Sequence, residues 1–309
     1  MKKLTVTIPC FNQKNLLIEC LNSLCKQTYK DFSVLIIDDC SKEDYTDILK
    51  TFPGLDIKYI RNEGNLGAMK NMFKAIKYPV DTEYVLCLHE DDAIASIRYF
   101  EDSVKLMDEN RDVVFTAGKP IWFKKTIPPC IDGNNNKYIS GNITSFVDLI
   151  LDYEAIIFGS IIYRKESIKV LEPELNKYHT LCDRPFLISS LKGEKRFALF
   201  DNPIIFVRDH GISDKRSSGL RQEHLFNLLI EYKKYTRNDK LFIKFSTNVI
   251  LNNYIGLKKM DLPLFKYISK TIKLGLFRFS GIRIYGLVSI PFYILGDKNM
   301  RRLIYLIKK

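Results

Sequence analysis

Val6-Thr7-Ile8-Pro9-Cys10-Phe11-Asn12 is a β-branched run that meets a proline and turns polar, after which Leu16, Leu17, Cys20, Leu21, Leu24 and Cys25 recur at helical spacing. The pattern predicts a buried strand leading into an amphipathic helix. Working outward, the alternation continues with Phe32 to Ile37 as strand, a helix around Tyr45 to Lys50, Ile57 to Ile60 as strand, a helix from Gly67 to Lys77, and Tyr84 to Leu88 as strand. Strands and helices alternating through short connections imply βαβ units. The predicted fold class is therefore α/β, with a mainly parallel, Rossmann-like sheet flanked by helices on both faces.

Past that core, a helix is predicted around Ile97 to Met107 and a strand at Val113 to Thr116. Regularity then fails between Gly118 and Asn142, where Pro128-Pro129 and Asp132-Gly133-Asn134-Asn135-Asn136 are turn signals. A loop of that length predicts a lid or binding segment. Helices follow at Ser145 to Leu151 and Asp183 to Leu191, and strands at Ile156 to Tyr163 and Ile204 to Val207.

The 309 residues are 46% hydrophobic and 27% charged, which excludes wholesale disorder. Charge is unevenly spread: from Arg221 to Lys309 there are 18 Lys/Arg against 5 Asp/Glu, so the whole excess of the +12 chain lies in its last segment and residues 1–220 are near neutral. That split suggests a catalytic or binding domain followed by a basic, mostly helical region that meets something anionic. Seven cysteines without a C-x-x-C pair suggest reduced, buried thiols in a cytoplasm rather than a disulfide frame or a zinc site. The apolar stretch Leu4 to Ile8 is too short for an export signal, and Ile284 to Leu295, interrupted by Pro291, is too short to cross a bilayer.

In an open parallel sheet, ligands bind beyond the carboxyl ends of the strands. Those ends are Pro9-Cys10-Phe11-Asn12, Asp38-Asp39-Cys40-Ser41, Asn62-Glu63-Gly64-Asn65 and His89-Glu90-Asp91-Asp92. No glycine-rich turn follows the first strand, so neither a dinucleotide fingerprint nor a nucleoside triphosphate loop is present. Phosphate charge must be met in another way, and Asp91-Asp92 offers hard oxygen ligands for Mg²⁺ or Mn²⁺ shared with a diphosphate. A helix N-cap is the competing reading of the same pair.

These residues resemble the opening of the GT-A glycosyltransferases of family 2. The resemblance runs through Val6 to Asn12, Leu21 to Ser23, Gln27-Thr28-Tyr29, Asp38 to Ser41, Asn65-Leu66-Gly67 with Lys70-Asn71 and Ala75, and Glu90-Asp91-Asp92. It covers roughly residues 4–210 and is most specific over the first hundred. It implies a GT-A domain over 1–220, with a nucleotide-sugar half over about 1–117 and an acceptor half over about 118–220, followed by the basic region 221–309. Carried over by position, it puts Pro9, Phe11 and Asn12 beside the base and ribose, Asp39 as acceptor from the base, Lys70 on the nucleotide, Asp91 at the ribose and Asp92 on the metal. His89 stands where family members often carry another aspartate, which leaves fewer carboxylates for the ion.

For the second half, the resemblance implies that Asp183, in His179-Thr180-Leu181-Cys182-Asp183-Arg184-Pro185-Phe186, is the base that deprotonates the acceptor. Read alone, Asp183 before Arg184-Pro185 is also a good N-cap. Arg208-Asp209-His210 resembles a later signature in which His210 binds the metal or a phosphate oxygen. Trp122 reads as core or lid packing, or as a stacking surface for an acceptor.

The implied activity is metal-dependent, inverting transfer of a sugar from a nucleotide-diphosphate sugar, a UDP-sugar first, to a hydroxyl of a cell-surface glycan or lipid-linked acceptor. The basic segment suits an anionic membrane surface, giving a cytoplasmic protein peripheral on the inner face of the membrane, or else caps the first domain. No nucleic acid partner is expected. Two rival readings are a sugar nucleotidyltransferase, which would normally show a glycine-rich, arginine-containing turn after the first strand, and a basic nucleic-acid- or membrane-binding module with a degenerate enzyme domain.

Overall fold

The structure, a computed structural model, describes residues 2–78, 80–132, 137–152, 156–168, 177–178, 181, 183–209, 222–246 and 274. Two compact units divide the chain: one comprises Met1–Phe146, Glu154–Leu171 and Phe186–Arg216, the other Val147–Tyr153, Glu172–Pro185 and Ser217–Lys309.

The first unit is built on β1 (Leu4–Cys10), α1 (Lys14–Cys25), β2 (Phe32–Asp38), α2 (Thr46–Leu49), β3 (Ile57–Arg61), α3 (Ala68–Lys77) and β4 (Tyr84–Cys87). After these come β5 (Ala93–Ile94), α4 (Tyr99–Glu109), β6 (Val113–Phe123), β7 (Tyr138–Gly141), α5 (Ile143–Leu151), β8 (Ile162–Arg164) and β9 (Arg196–Arg208). Among the described residues, one sheet joins nine strands in the order β3-β2-β1-β4-β8-β6-β9-β5, with β7 on β9. β1, β2, β3 and β4 pair in parallel. β8 runs against both β4 and β6, so β6 and its parallel neighbour β9 share the direction of β4. Six of the nine strands therefore point one way, with β5, β7 and β8 opposed.

β1 sits between two parallel neighbours, Val6 opposite Val34 on one side and Leu86 on the other. Leu4, Val6 and Ile8 are fully buried, and so are Leu17, Cys20, Leu21 and Leu24 of α1. A strand covered on both faces reads as a continuous apolar run, which is why the opening sequence was decisive. Its polar members are satisfied: Thr7 donates from Oγ1 to the Leu86 carbonyl at 3.2 Å. The order 3-2-1-4 reverses direction at β1, and the strand ends there open the crevice that α/β sheets use for ligands.

The expected irregular stretch Gly118 to Asn142 is partly regular. β6 continues to Phe123, β7 occupies its far end, and β9 begins at Arg196 rather than Ile204. Turn-like Gly118-Lys119-Pro120 and Asp201-Asn202-Pro203 face each other across register shifts at Gly118/Lys119 and Lys119/Pro120. A bulge accommodates proline inside a long strand pair, so the turn residues bend the ladder instead of ending it. Gly118 is needed for contact as well, since a Cβ there would stand 2.7–2.9 Å from the buried side chain of Ile204. The expected strand from Ile156 is a 3₁₀ turn over Phe158–Ser160 that leads into the short β8.

In the second unit, α7 (Gln222–Lys233) buries Leu225, Phe226, Leu229 and Tyr232, and residues 239–246 are helical. Thr236 donates to Asp148 at 2.5 Å and Tyr178 to Glu231 at 3.4 Å. Most of the basic segment 221–309, expected to be mostly helical, lies outside the described residues, which there are 222–246 and 274. Among the described residues no helix is long and apolar enough to cross a membrane.

Candidate active site

The first three parallel strands end in loops that are stitched together by side chains. Asp38, fully buried, accepts from the backbone N–H and hydroxyl of Ser41 at Oδ1 and from the Tyr59 hydroxyl at Oδ2, 2.7 Å away. Arg61 stands beside it, Nε to Oδ2 at 3.7 Å, and donates to the Ser41 carbonyl. Ser41 in turn accepts the Asn12 N–H at 2.9 Å, and Asn12 Oδ1 accepts the Lys42 N–H at 2.8 Å. Asn12 has φ +56° and Cys40 +64°. Where other nucleotide folds place glycine after the first strand, this chain uses the non-glycine residue that best tolerates the left-handed region.

Asp39 is almost fully buried and faces the loop after β3. Its Oδ1 accepts from Asn62 Nδ2 at 2.9 Å and from the Leu66 N–H at 2.7 Å, while Oδ2 accepts from the Gly67 N–H at 2.9 Å. A carboxylate has about four acceptor positions, so three are committed to shaping residues 62–67 and one is left for a ligand. Gly67, at φ +84° and ψ 152°, lets the loop turn into α3. Asn71 completes the network: Oδ1 accepts from Asn62, and Nδ2 donates to the Ile37 carbonyl at 2.9 Å. Lys74 caps it with a bond to Asn62 Oδ1 at 2.7 Å, whereas Lys70 is exposed on α3. The polar residues of this block are thus a frame around Asp39. Pro9 is half-buried, paired opposite Ile37, and Phe11 and Leu66 are exposed at the rim.

At the end of β4, His89-Glu90-Asp91-Asp92 is held from four sides. Leu88 N–H bonds the Thr7 carbonyl at 2.9 Å, and the His89 carbonyl accepts from Asp92 N–H at 3.2 Å and from the Cys20 thiol at 3.8 Å. β5 starts directly after Asp92 and pairs with β9. Arg208, at the end of β9, bonds Asp92 Oδ1 through its N–H (3.2 Å) and the Asp91 carbonyl through Nε (3.3 Å). Its guanidinium also reaches Glu19 and the Lys125 carbonyl and lies 4.5 Å over the Phe123 ring.

A ring nitrogen of His89, an Asp91 carboxylate oxygen and an Asp92 carboxylate oxygen lie within 4.8 Å of one another, and His89 Nδ1 is 3.7 Å from Asp92 Oδ2. This donor set suits a divalent cation. Gly159 borders it without a side chain; a Cβ there would be 3.5 Å from Asp92 Oδ2. Glu90 is a residue that motif reading left without a role. Its Oε1 accepts the Phe11 N–H at 2.7 Å, its Oε2 is buried without a partner among the described residues, and burial, opposed by the Phe11 bond and helped by Asp91 and Asp38, pushes its carboxyl up to about 8. Glu90 thereby ties the turn after β1 to the acidic motif.

Asp183 opens α6 (Asp183–Ser190) in the second unit, half-buried, with Arg184 Nε 3.6 Å from its Oδ2. His210 lies outside the described residues. Trp122 is not core: it is 58% exposed on β6. Among the cysteines, Cys10, Cys20 and Cys87 are buried thiols that burial pushes up, Cys87 to about 12, but Cys25 is exposed and Cys40 and Cys130 are intermediate. Cys25 is the last residue of α1.

The family model described as Glycosyl transferase family 2 matches residues 5–171. Glycosyltransferase GlyG of Streptococcus pneumoniae serotype 4 is 24% identical over 236 residues, covering 73% of this chain and 74% of the relative. The poly(ribitol-phosphate) β-N-acetylglucosaminyltransferase TarS of Staphylococcus aureus strain Mu50 is 24% identical over 225 residues, 66% of this chain and 38% of TarS. Among solved structures, residues 1–349 of S. aureus TarS in complex with UDP-GlcNAc superpose with a TM-score of 0.61 at 18% identity, covering 88% of this chain and 80% of that one.

Proposed function

The chain belongs to glycosyl transferase family 2, and from that premise we propose that it transfers a sugar from a nucleotide-diphosphate sugar, with UDP as the nucleotide, to a hydroxyl of a cell-surface glycan or lipid-linked acceptor. The observation that carries this reading is the convergence at one sheet edge of the Asp39 frame and the His89-Asp91-Asp92 donors, joined through Phe11–Glu90 and Asn12–Ser41. The TarS structure bound to UDP-GlcNAc supports the donor class and makes N-acetylhexosaminyl or hexosyl transfer the first candidates.

In the proposed reaction Asp39 holds residues 62–67 as one wall of the base pocket and keeps an acceptor position for the base. The rim residues Phe11 and Leu66 cover the base, and Asp91 accepts from the ribose. Asp92, with its neighbours, holds a divalent ion, Mn²⁺ or Mg²⁺, which when bound neutralises charge on the departing diphosphate. His210, by resemblance, is a further candidate on the diphosphate side, and Lys70 is close enough in sequence to the frame to be tested with it. Asp183 takes the acceptor proton as the hydroxyl attacks, giving inversion in a single displacement. The net +13 of residues 221–309 supports a peripheral position on an anionic membrane, where lipid-linked acceptors reside.

A thermal-shift screen of nucleotide sugars with and without Mn²⁺ tests the proposal. UDP-sugars should raise the melting temperature more than GDP- or CMP-sugars, and more with metal than without. Stabilisation by no nucleotide sugar at all would refute it.

A further inference from the structure

We propose that His89 is itself a metal donor, so that this site presents one imidazole nitrogen and two carboxylates and selects a first-row transition ion over Mg²⁺. The inference rests on the metal-dependent reading above. His89 stands at the position where family members often carry another aspartate.

Geometry answers first. Donors about 2.1 Å from one octahedral ion stand roughly 3.0 Å apart when adjacent and 4.2 Å when opposite. His89 Nδ1 is 3.7 Å from Asp92 Oδ2, and the three donors of His89, Asp91 and Asp92 lie within 4.8 Å of one another, so small side-chain rotations bring them around one centre. The backbone of His89 cannot drift away, because its carbonyl is engaged by Asp92 N–H and Cys20 and its strand is locked to β1 through Leu88 and Thr7. Gly159 keeps a side chain from crowding Asp92 Oδ2, the oxygen on the His89 side.

Donor chemistry then sets the preference. Mg²⁺ favours an all-oxygen shell and sheds water reluctantly, whereas imidazole nitrogen strengthens binding to Mn²⁺ and the later ions of the Irving–Williams order. Replacing a family carboxylate by His89 lowers the negative charge that Mg²⁺ depends on and adds a nitrogen that Mn²⁺ accepts. The competing account is a His89–Asp92 ion pair across the turn between β4 and β5 that never meets a metal.

The test is metal binding rather than turnover: free Mn²⁺ measured by electron paramagnetic resonance in the presence of UDP, with Mg²⁺ as competitor, on wild type, His89→Ala and His89→Asp, each checked by thermal melt. Because disturbing even an outer-shell partner of a metal costs about 10- to 100-fold in affinity, His89→Ala should weaken Mn²⁺ by at least about tenfold. His89→Asp should recover Mg²⁺ binding and shrink the Mn²⁺/Mg²⁺ preference. Wild-type Mn²⁺ affinity and preference in both folded variants would overturn the inference while leaving the metal-dependent reading intact. Wild-type protein that binds neither ion with UDP would overturn both.

Discussion

Replacing Asp39 with alanine should cost fold stability as well as nucleotide affinity, because its carboxylate holds three N–H donors. Two of them, Leu66 and Gly67 N–H, belong to a loop with exposed residues and can turn to water, so their loss is worth about 0.5–1 kcal/mol each. The third, Asn62 Nδ2, is buried, and it also bonds Asn71 at 2.9 Å, so stranding half of its capacity adds about 1–2 kcal/mol. The sum is about 2–4 kcal/mol. Asp39→Asn keeps an acceptor for part of the set but turns an NH₂ group toward another donor, and should fall between alanine and wild type. Urea denaturation at an unchanged m-value reads the loss directly, and calorimetry with UDP on the still-folded protein reads the binding effect. An Asp39→Ala unfolding free energy within about 0.5 kcal/mol of wild type would refute the idea that this carboxylate frames the loop.

Asp183→Asn should lower kcat by about 10² to 10⁴ with donor affinity and melting temperature unchanged, since asparagine caps a helix as well as aspartate; retained turnover would return Asp183 to a capping role. Gly118→Ala should cost about 1–3 kcal/mol in denaturant unfolding, because its Cβ would enter the space of Ile204, and an additional Ile204→Val substitution should recover part of that loss. The basic segment should draw the protein to anionic vesicles in sedimentation, less so as salt screens attraction beyond about 8–10 Å; equal binding to neutral vesicles would argue against an electrostatic attachment.

The first half of the fold was legible because its strands are covered on both faces and its helices carry a single apolar stripe. β2, β3 and β4 begin at Phe32, Ile57 and Tyr84, where the apolar runs begin, and α1, α3 and α4 lie where apolar residues recur every third or fourth position. Legibility failed at β6 and β9, where Gly118, Pro120 and Pro203 look like turns but sit in a bulged ladder that only the pairing of distant strands stabilises. It failed again at the dipeptide strand β5, which is too short to carry a period.

In the site, Asp38 and Asp39 are adjacent and chemically alike, yet one is consumed inside its own turn by Ser41 and by Tyr59 of β3, while the other frames the next loop through Asn62, Leu66 and Gly67. His89 read as a departure from pattern, and its closeness to Asp92 emerges only when the turn after β4 is folded. Glu90 gave no signal beyond its place in an acidic run. Its burial depends on the Phe11 turn packing over it.

The most direct measurement of the central claim is calorimetric titration of UDP into wild type and Asp92→Ala, each with Mn²⁺ and with a chelator. The account predicts wild-type binding that is at least about tenfold tighter with metal, a gain of about 1.4 kcal/mol, and no metal-dependent gain in the variant. UDP affinity that is the same in all four titrations would contradict a metal-assisted nucleotide site at the end of β4.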